Sequence, residues 1–183
     1  MNRSKLRILA IGAATTAVAA ALVPAQAGTV TGTLNVSLTI TASCTVNGGS
    51  SALLNFGSYT GVPTGPINQN TTFTVTCSNL APYNVGLSKG ANGSSTSARL
   101  MKGTTHAATV AYNLYLPSGK NSGSSTCTTT NWDDYPGGTN TGADTGTSTA
   151  QTWTVCGNVP TGSLPSTLAV DSYTDVVAID VGF

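Results

Sequence analysis

Residues 30–42 form a run in which apolar or small residues occupy every second position. The positions in phase are Val30, Gly32, Leu34, Val36, Leu38, Ile40 and Ala42, with Thr, Asn or Ser between them. Such alternation is typical of an extended strand with one apolar face. At about 3.3 Å per residue this strand would be about 40 Å long, whereas strands usually have five to six residues. The excess length needs an explanation in the fold.

Shorter candidate strands follow along the rest of the chain, several of them alternating, and no helical period accompanies them. They are residues 44–46, 52–56, 73–77, 83–87, 99–101, 110–116, 153–155, 164–170 and 177–183, with a Gly-rich turn at 47–49. The composition agrees, because the chain has 32 Thr and 19 Ser and no Glu. We therefore predict an all-β, antiparallel sandwich of the immunoglobulin type.

The first 27 residues have the pattern of a secretory signal peptide. Arg3, Lys5 and Arg7 precede an apolar stretch over residues 8–23, and Ala25-Gln26-Ala27 supplies small residues for cleavage. The alternative is a membrane anchor, but about 16 apolar residues fall short of the roughly 20 that a spanning helix needs. We expect cleavage after Ala27, so that the exported chain begins at Gly28.

Export predicts that the four cysteines form disulfides, because the compartment is oxidising. Four cysteines allow three pairings. We favour Cys44 with Cys77 and Cys127 with Cys156, because each bond closes one local segment. No Cys-x-x-Cys pair is present, which argues against a structural metal site.

The two ends of the exported chain are complementary in pattern. Residues 177–183 alternate in an apolar strand that stops at Phe183 without a following turn, and the long strand before Cys44 has no hairpin partner. We expect the N-terminal strand of one copy to fill a gap in the sheet of another. The alternative is an ordinary first strand of a complete sandwich, with residues 40–42 continuing into it.

Several short stretches resemble, in their order, one known family. They are Val30-Thr31-Gly32 leading to Cys44-Thr45-Val46, Leu54-Asn55-Phe56-Gly57, Val75-Thr76-Cys77, Val110-Ala111-Tyr112-Asn113-Leu114-Tyr115, Cys156-Gly157-Asn158-Val159-Pro160 and Tyr173-Thr174-Asp175. This set resembles the spore coat protein U domain family, and closely the major pilin subunits of archaic, Csu-type chaperone-usher pili. The pair Cys127 and Cys156 departs from the resemblance, which implies only the bond between Cys44 and Cys77.

The resemblance implies an incomplete immunoglobulin-like sandwich that lacks its last strand and is completed by donor-strand exchange. Residues 1–27 would be the signal peptide, 28–42 the donor strand and 43–183 the pilin domain. Gly32, Leu34, Val36, Leu38 and Ile40 would enter the acceptor groove of a neighbour, and Phe56, Phe73, Tyr112 and Phe183 would line that groove. The implied partners are other copies or related pilins, a periplasmic chaperone and an outer-membrane usher. The chain would pass through the periplasm into a cell-surface pilus that serves adhesion and biofilm formation.

The residue inventory argues against an enzyme and against nucleic-acid binding. His106 is the only histidine, and it lies far from any nucleophile motif such as Gly-x-Ser-x-Gly. Asp133 and Asp134 are adjacent rather than opposed, which does not suit a glycosidase pair. Beyond residue 27 the basic residues number four against six Asp, too few for counterion-release binding. We expect no catalytic residue, no metal and no cofactor.

One alternative remains open, a secreted monomer that binds carbohydrate or serves as a coat protein. Residues 118–146 lose the strand period and are interpreted as a long surface loop. Trp132 and Tyr135 lie in this stretch, and Trp153 follows it. Trp132 is the best candidate for a sugar-stacking platform, whereas Trp153 is in strand phase and is expected in the core.

Overall fold

The computed structural model describes residues 27–47 and 52–183. The chain divides into two units, of which the first ends at Leu38 and the second is Thr39–Phe183. The predicted signal peptide, except Ala27, and the predicted turn after Asn47 lie outside the described residues. Within the described ranges, no helix is long and apolar enough to cross a membrane.

Ten strands make up the regular structure of the described residues. They are β1 (Cys44–Asn47), β2 (Ile67–Cys77), β3 (Pro82–Leu87), β4 (Arg99–Gly103), β5 (Thr109–Pro117), β6 (Cys127–Asn131), β7 (Gly142–Thr145), β8 (Gln151–Val159), β9 (Tyr173–Thr174) and β10 (Ile179–Gly182). Every paired strand is antiparallel to its neighbour. Two short 3-10 turns, Ser118–Lys120 and Thr161–Ser163, are the helical elements of this part of the chain. The all-β, antiparallel prediction is confirmed.

The strands form a larger and a smaller sheet. The larger sheet runs in the order β1-β2-β8-β5-β4-β9, with β6 beside β5, and the smaller one in the order β10-β3-β7. The longest ladder joins β2 to β8, from Ile67 opposite Val159 to Val75 opposite Gln151. Since β8 also pairs with β5, these three strands form the continuous centre of the larger sheet.

Alternating residues of the two sheets face each other in one core. Phe73, Val75, Tyr83, Val85 and Trp153 are almost completely buried. The Trp153 indole donates a hydrogen bond of 3.2 Å to the Tyr83 hydroxyl, which provides a partner for a polar group inside the core. The period-two pattern of the sequence therefore identifies the inward faces of β2, β3, β5 and β8.

The expectation that residues 118–146 form a surface loop presenting Trp132 is wrong. The stretch contains β6 and β7, and Trp132 has an exposed fraction of 0%. Its indole donates to the carbonyl oxygen of Val85 at 2.8 Å, and its ring lies 5.7 Å from that of Trp153. A single side chain that enters the core from an irregular segment leaves no period in the sequence.

Three predicted strands differ from the structure. Residues 30–42 are not in a strand, and residues 164–170 follow a 3-10 turn without joining a sheet. Residues 52–56 alternate between half-buried and exposed but have no paired strand. Alternation reports which face is apolar, whereas a strand also needs a neighbour for its backbone hydrogen bonds.

Both bonds of the favoured disulfide pairing are present. Cys44 is joined to Cys77, which lies opposite it in the β1–β2 ladder. Cys127 is joined to the buried Cys156 of β8. The first bond fastens β1 to the edge of the larger sheet, and the second fastens the 118–131 segment to the sheet centre.

Candidate functional site

The Thr39–Phe183 unit contains an open, mainly apolar cleft of about 770 Å³. Inward-facing side chains of β2, β5 and β8 form its floor. These floor residues are Ile67, Phe73, Val110, Tyr112, Leu114, Val155 and Val159. All of them belong to the buried core, so the cleft gives access to core side chains from one side. The partly exposed apolar side chains lie around this floor, among them Leu54, Phe56 and Ile179, and apolar surface of this kind is typical of a binding site.

The first wall of the cleft is the extended segment of residues 52–57. Ala52, Leu54 and Phe56 are half-buried and alternate with exposed residues. Leu54 and Phe56 pack over Gly157 of β8, where a Cβ atom would lie 2.5 Å from Leu54 Cδ2 and 2.9 Å from Phe56 Cζ. No backbone group of residues 52–57 is bonded to the backbone of another described residue. Gly57 N donates to the Asn55 side chain and Phe56 O accepts from the Tyr59 hydroxyl, and the remaining backbone groups of this wall have no partner among the described residues and could pair with an added strand.

The smaller sheet supplies a second free edge. β10 pairs with β3, from Ile179 opposite Leu87 to Gly182 opposite Asn84. Its other edge has no partner among the described strands. Ile179 lines the cleft and Val181 packs against the core. A strand laid along β10 would thus continue the smaller sheet.

The second wall consists of residues 164–177, between β8 and β10. Its regular structure is the two-residue β9, which pairs with β4 through Gly103 and Lys102. Six apolar side chains of this wall line the cleft, namely Leu164, Leu168, Ala169, Val170, Tyr173 and Val177. The wall also carries Asp171 and Asp175, whose carboxylates bind neighbouring loops.

Tyr112 connects the floor with both walls. Its ring meets the ring of Phe56 edge to face, with centroids 6.2 Å apart, and its hydroxyl donates a hydrogen bond of 2.6 Å to Asp175 Oδ2. Burial, followed by the hydrogen bond and the charge of Asp175, raises the pKa of Tyr112. The phenol therefore remains a neutral donor at physiological pH.

The structure brings together three of the four residues predicted to line a groove. Phe56 lies in the first wall, and Phe73 and Tyr112 lie in the floor. Phe183 is not a lining residue and is 61% exposed. The sequence analysis predicts strands at residues 164–170 and 177–183 but does not place their side chains beside a groove. Tyr173 and Asp175 stand out in the sequence only because the Tyr173-Thr174-Asp175 stretch belongs to the family resemblance.

The apolar residues predicted to enter a groove are exposed to solvent. Leu34, Val36, Leu38 and Ile40 have exposed fractions of 83 to 87%, and Gly32 has nothing within 4 Å of a built Cβ atom. Each such side chain would gain about 1.5 to 3 kcal/mol on full burial. These four apolar side chains occupy every second position of the segment and are exposed to solvent.

Polar groups in the second unit hold loops in place. His106 Nδ1 lies 3.3 Å from Asp171 Oδ2, and the imidazole is more than half exposed. Asp133 accepts hydrogen bonds from Thr96 Oγ1 and the backbone of Asn140. Across residues 27–47 and 52–183, no three His, Cys, Asp or Glu side chains come together as metal ligands.

The aromatic residues considered for carbohydrate binding do not form an exposed platform. Trp132 and Trp153 each have an exposed fraction of 0%. The Tyr135 ring lies against Gly182 of β10, where a Cβ atom would collide with it. A sugar ring would need at least one free aromatic face for stacking; Trp132 and Trp153 provide none, and Tyr135 is half-buried against β10.

The fold is similar to parts of two solved structures. One is a chain from the CsuC–CsuE chaperone-tip adhesion subunit pre-assembly complex of archaic chaperone-usher Csu pili of Acinetobacter baumannii, with 20% identity, a TM-score of 0.49, and coverage of 79% of this chain and 40% of the other. The other is from a chaperone-tip adhesin complex of CFA/I fimbriae biogenesis, with 10% identity, a TM-score of 0.45, and coverage of 75% and 40%. This chain therefore spans less than half the length of either solved chain.

Family membership rests on the sequence itself. No curated protein sequence gives a significant match. The family model of the Spore Coat Protein U domain matches residues 30–180, which covers nearly all of the described chain and includes the stretches that carry the resemblance. The chain therefore belongs to the Spore Coat Protein U domain family.

Proposed function

We propose that the protein is a structural subunit of a chaperone-usher pilus and polymerises by donor-strand complementation. Residues 28–42 of one copy would occupy the cleft of the next copy, and residues 43–183 would form the pilin domain. The observation that carries the proposal is the cleft itself. It lies over core side chains, between two backbone edges that have no partner among the described strands.

The alternating segment before Cys44 matches the cleft in chemistry. Leu34, Val36, Leu38 and Ile40 would face the apolar floor, and Gly32 would pass where the groove is too shallow for a side chain. Burial of these four side chains is worth roughly 6 to 12 kcal/mol before the cost of ordering the strand is subtracted. Backbone hydrogen bonds to the free edges would add continuity and fix the register.

Export and assembly partners follow from the same function. The predicted signal peptide would direct the chain to the periplasm, where a chaperone would cover the cleft until polymerisation. An outer-membrane usher would then pass the subunits to a cell-surface pilus that serves adhesion and biofilm formation. The full chain has few charged residues, 7%, which suits a role in contacts between copies more than in nucleic-acid binding.

The decisive experiment compares two double variants of the exported full chain, each produced with its chaperone. Val36→Asp with Leu38→Asp places two charges on the apolar face of residues 30–42. The matched control, Ser37→Asp with Thr39→Asp, places the same charges on the opposite face. Because unpaired buried charges are strongly unfavourable, we expect the first variant to remain monomeric and the control to polymerise.

Unheated samples on a denaturing gel provide the measurement. The wild type and the control should give a ladder of oligomers that collapses on boiling, and the Val36→Asp, Leu38→Asp chain should give none. A normal ladder from that variant would refute the assignment of residues 28–42. A wild-type chain that is folded, soluble and monomeric without a partner would refute polymerisation and favour the secreted monomer.

A further inference from the structure

Asp171 fastens the second wall of the cleft to the turn between β4 and β5. Its carboxylate accepts hydrogen bonds from Thr104 Oγ1 at 2.8 Å, from the backbone nitrogen of Thr105 at 2.9 Å and from that of His106 at 2.6 Å. The bond from His106, with those from Thr105, Thr104 and Ser172, holds the pKa of this carboxyl far below its ordinary value. Asp171 therefore stays ionised and keeps all of its donors.

Asp175, four residues later, fastens the same wall at a second point. Its Oδ1 atom accepts from the backbone nitrogens of Ala91 and Asn92 at 2.9 and 3.2 Å, and from Asn92 Nδ2 at 3.0 Å. Its Oδ2 atom accepts from the Tyr112 hydroxyl in the floor. The two carboxylates thus join the wall to two different turns and to the floor.

Two glycines leave room for these carboxylates. A Cβ atom on Gly90, which has φ +80°, would collide with the Asp175 carboxylate. A Cβ atom on Gly103 would lie 2.6 Å from Asp171 Oδ2. A residue without a side chain therefore stands at both points where the wall is held. Glycine permits this close approach between backbone and carboxylate.

An empty apolar cleft needs such fastening for a physical reason. Leu164, Leu168 and Val177 are half-buried and would expose less apolar area to water if the second wall folded down onto the floor, so the hydrophobic effect favours that closure. The regular structure that opposes this closure is the two-residue strand β9. Hydrogen bonds from backbone N–H groups to a carboxylate are stronger than neutral ones, and here they join the wall to the turns beside it.

We propose that Asp171 and Asp175 are positioning residues that keep the second wall open, so that the cleft is formed before a strand arrives. The inference rests on the proposed function, because it concerns how the same cleft receives its strand. Tyr112 transmits the position of Asp175 to the floor and, through Phe56, to the first wall. The carboxylates are bonded to the two turns and to Tyr112, so their loss is expected to slow the entry of the strand more than its release.

The test measures capture of a fluorescent peptide of residues 28–42 by the full chain carrying Val36→Asp and Leu38→Asp, which presents a cleft but cannot donate. Asp171→Ala, Asp175→Ala and Tyr112→Phe are added to this host one at a time. Because a wall that must be reordered adds an entropic cost to association, we expect the association rate to fall about tenfold in both Asp variants and less in Tyr112→Phe. The dissociation rate should change little, since the contacts with the bound strand remain.

Asp144→Ala is the matched control. Asp144 also accepts bonds from a neighbouring loop, through Ser122 N and Oγ, but it does not line the cleft. Its loss should lower stability and leave the association rate unchanged. The proposed positioning role would be overturned if the association rate were the same in the host, in Asp175→Ala and in Tyr112→Phe, which keeps the packing of the ring. Failure of the host itself to capture the peptide would instead refute the proposed function.

Discussion

The Nη2 atom of Arg99 donates a hydrogen bond of 2.7 Å to the carbonyl oxygen of Trp132, and both residues have an exposed fraction of 0%. The same guanidinium donates to the carbonyl oxygens of Leu87, Ser88 and Thr96. Burial lowers the pKa of Arg99 from its ordinary value. The planar guanidinium thus joins Leu87 at the end of β3 and the segment that follows it to the buried Trp132.

Arg99→Lys is expected to destabilise the fold by about 2 to 4 kcal/mol. An ammonium group has no planar fork and cannot reach all four carbonyl oxygens, so at least one is left buried without a donor. The measurement is the urea midpoint of the oxidised chain carrying Val36→Asp and Leu38→Asp. Lys102→Ala, an exposed residue of the same strand, should change stability by less than about 0.5 kcal/mol. Equal midpoints for the two variants would contradict the structural role of Arg99.

The second disulfide is expected to stabilise the domain without serving the cleft. Cys127 and Cys156 are separated by 29 residues, and closing such a loop is worth about 3 to 4 kcal/mol in the chain-entropy model. Cys127→Ser with Cys156→Ser should therefore lower the free energy of unfolding by about that amount. Capture of the 28–42 peptide should remain, because neither cysteine lines the cleft. Loss of capture in a folded double variant would show that the bond also shapes the site.

The inward faces of the main strands could be predicted from sequence because burial in a sheet follows a period of two. Phe73 and Val75 alternate with Thr, and both are buried in β2. The disulfide pairing could also be predicted from the sequence, since each bond closes a local segment of about 30 residues. Trp132 was misjudged because one aromatic residue in an irregular segment has no period. Its burial depends on Arg99 and Val85, which are distant in sequence.

The lining of the cleft could be predicted only in part, for the same reason. Phe56, Phe73 and Tyr112 belong to alternating runs and could be proposed as lining residues. Leu168 lies in a wall whose Asp171 and Asp175 accept hydrogen bonds from Thr105 and Tyr112, and those bonds join residues more than 60 positions apart. No local pattern carries such long-range contacts. The sequence therefore predicts the floor of the site better than its walls.

Gly157 is expected to be the most size-sensitive position of β8. A Cβ atom there would press on Leu54 and Phe56, so Gly157→Ala should displace the first wall and cost about 1 to 3 kcal/mol. Peptide capture should weaken with it, because the displaced wall no longer presents its free edge to the strand. The readouts are the urea midpoint and the peptide dissociation rate. Gly162→Ala is the control, since nothing lies within 4 Å of its built Cβ. A Gly157→Ala chain with wild-type capture would mean that this wall plays no part in binding.

Acid should destabilise the domain below about pH 4, and Asp171 should carry part of this effect. Hydrogen bonds lower the pKa of Asp171, and they also lower those of Asp133 and Asp144, where burial opposes the shift but is outweighed. Because each folded-state pKa lies below the ordinary value of an Asp side chain, the unfolded chain binds more protons as the pH falls, and stability is lost through that range. The urea midpoint should therefore be level above about pH 5 and fall between pH 4 and pH 2. Asp171→Asn should lower the level part and flatten the acid slope, since it removes one of the three carboxylates. An Asp171→Asn chain with the wild-type midpoint at neutral pH and the same slope in acid would show that these hydrogen bonds do not stabilise the second wall.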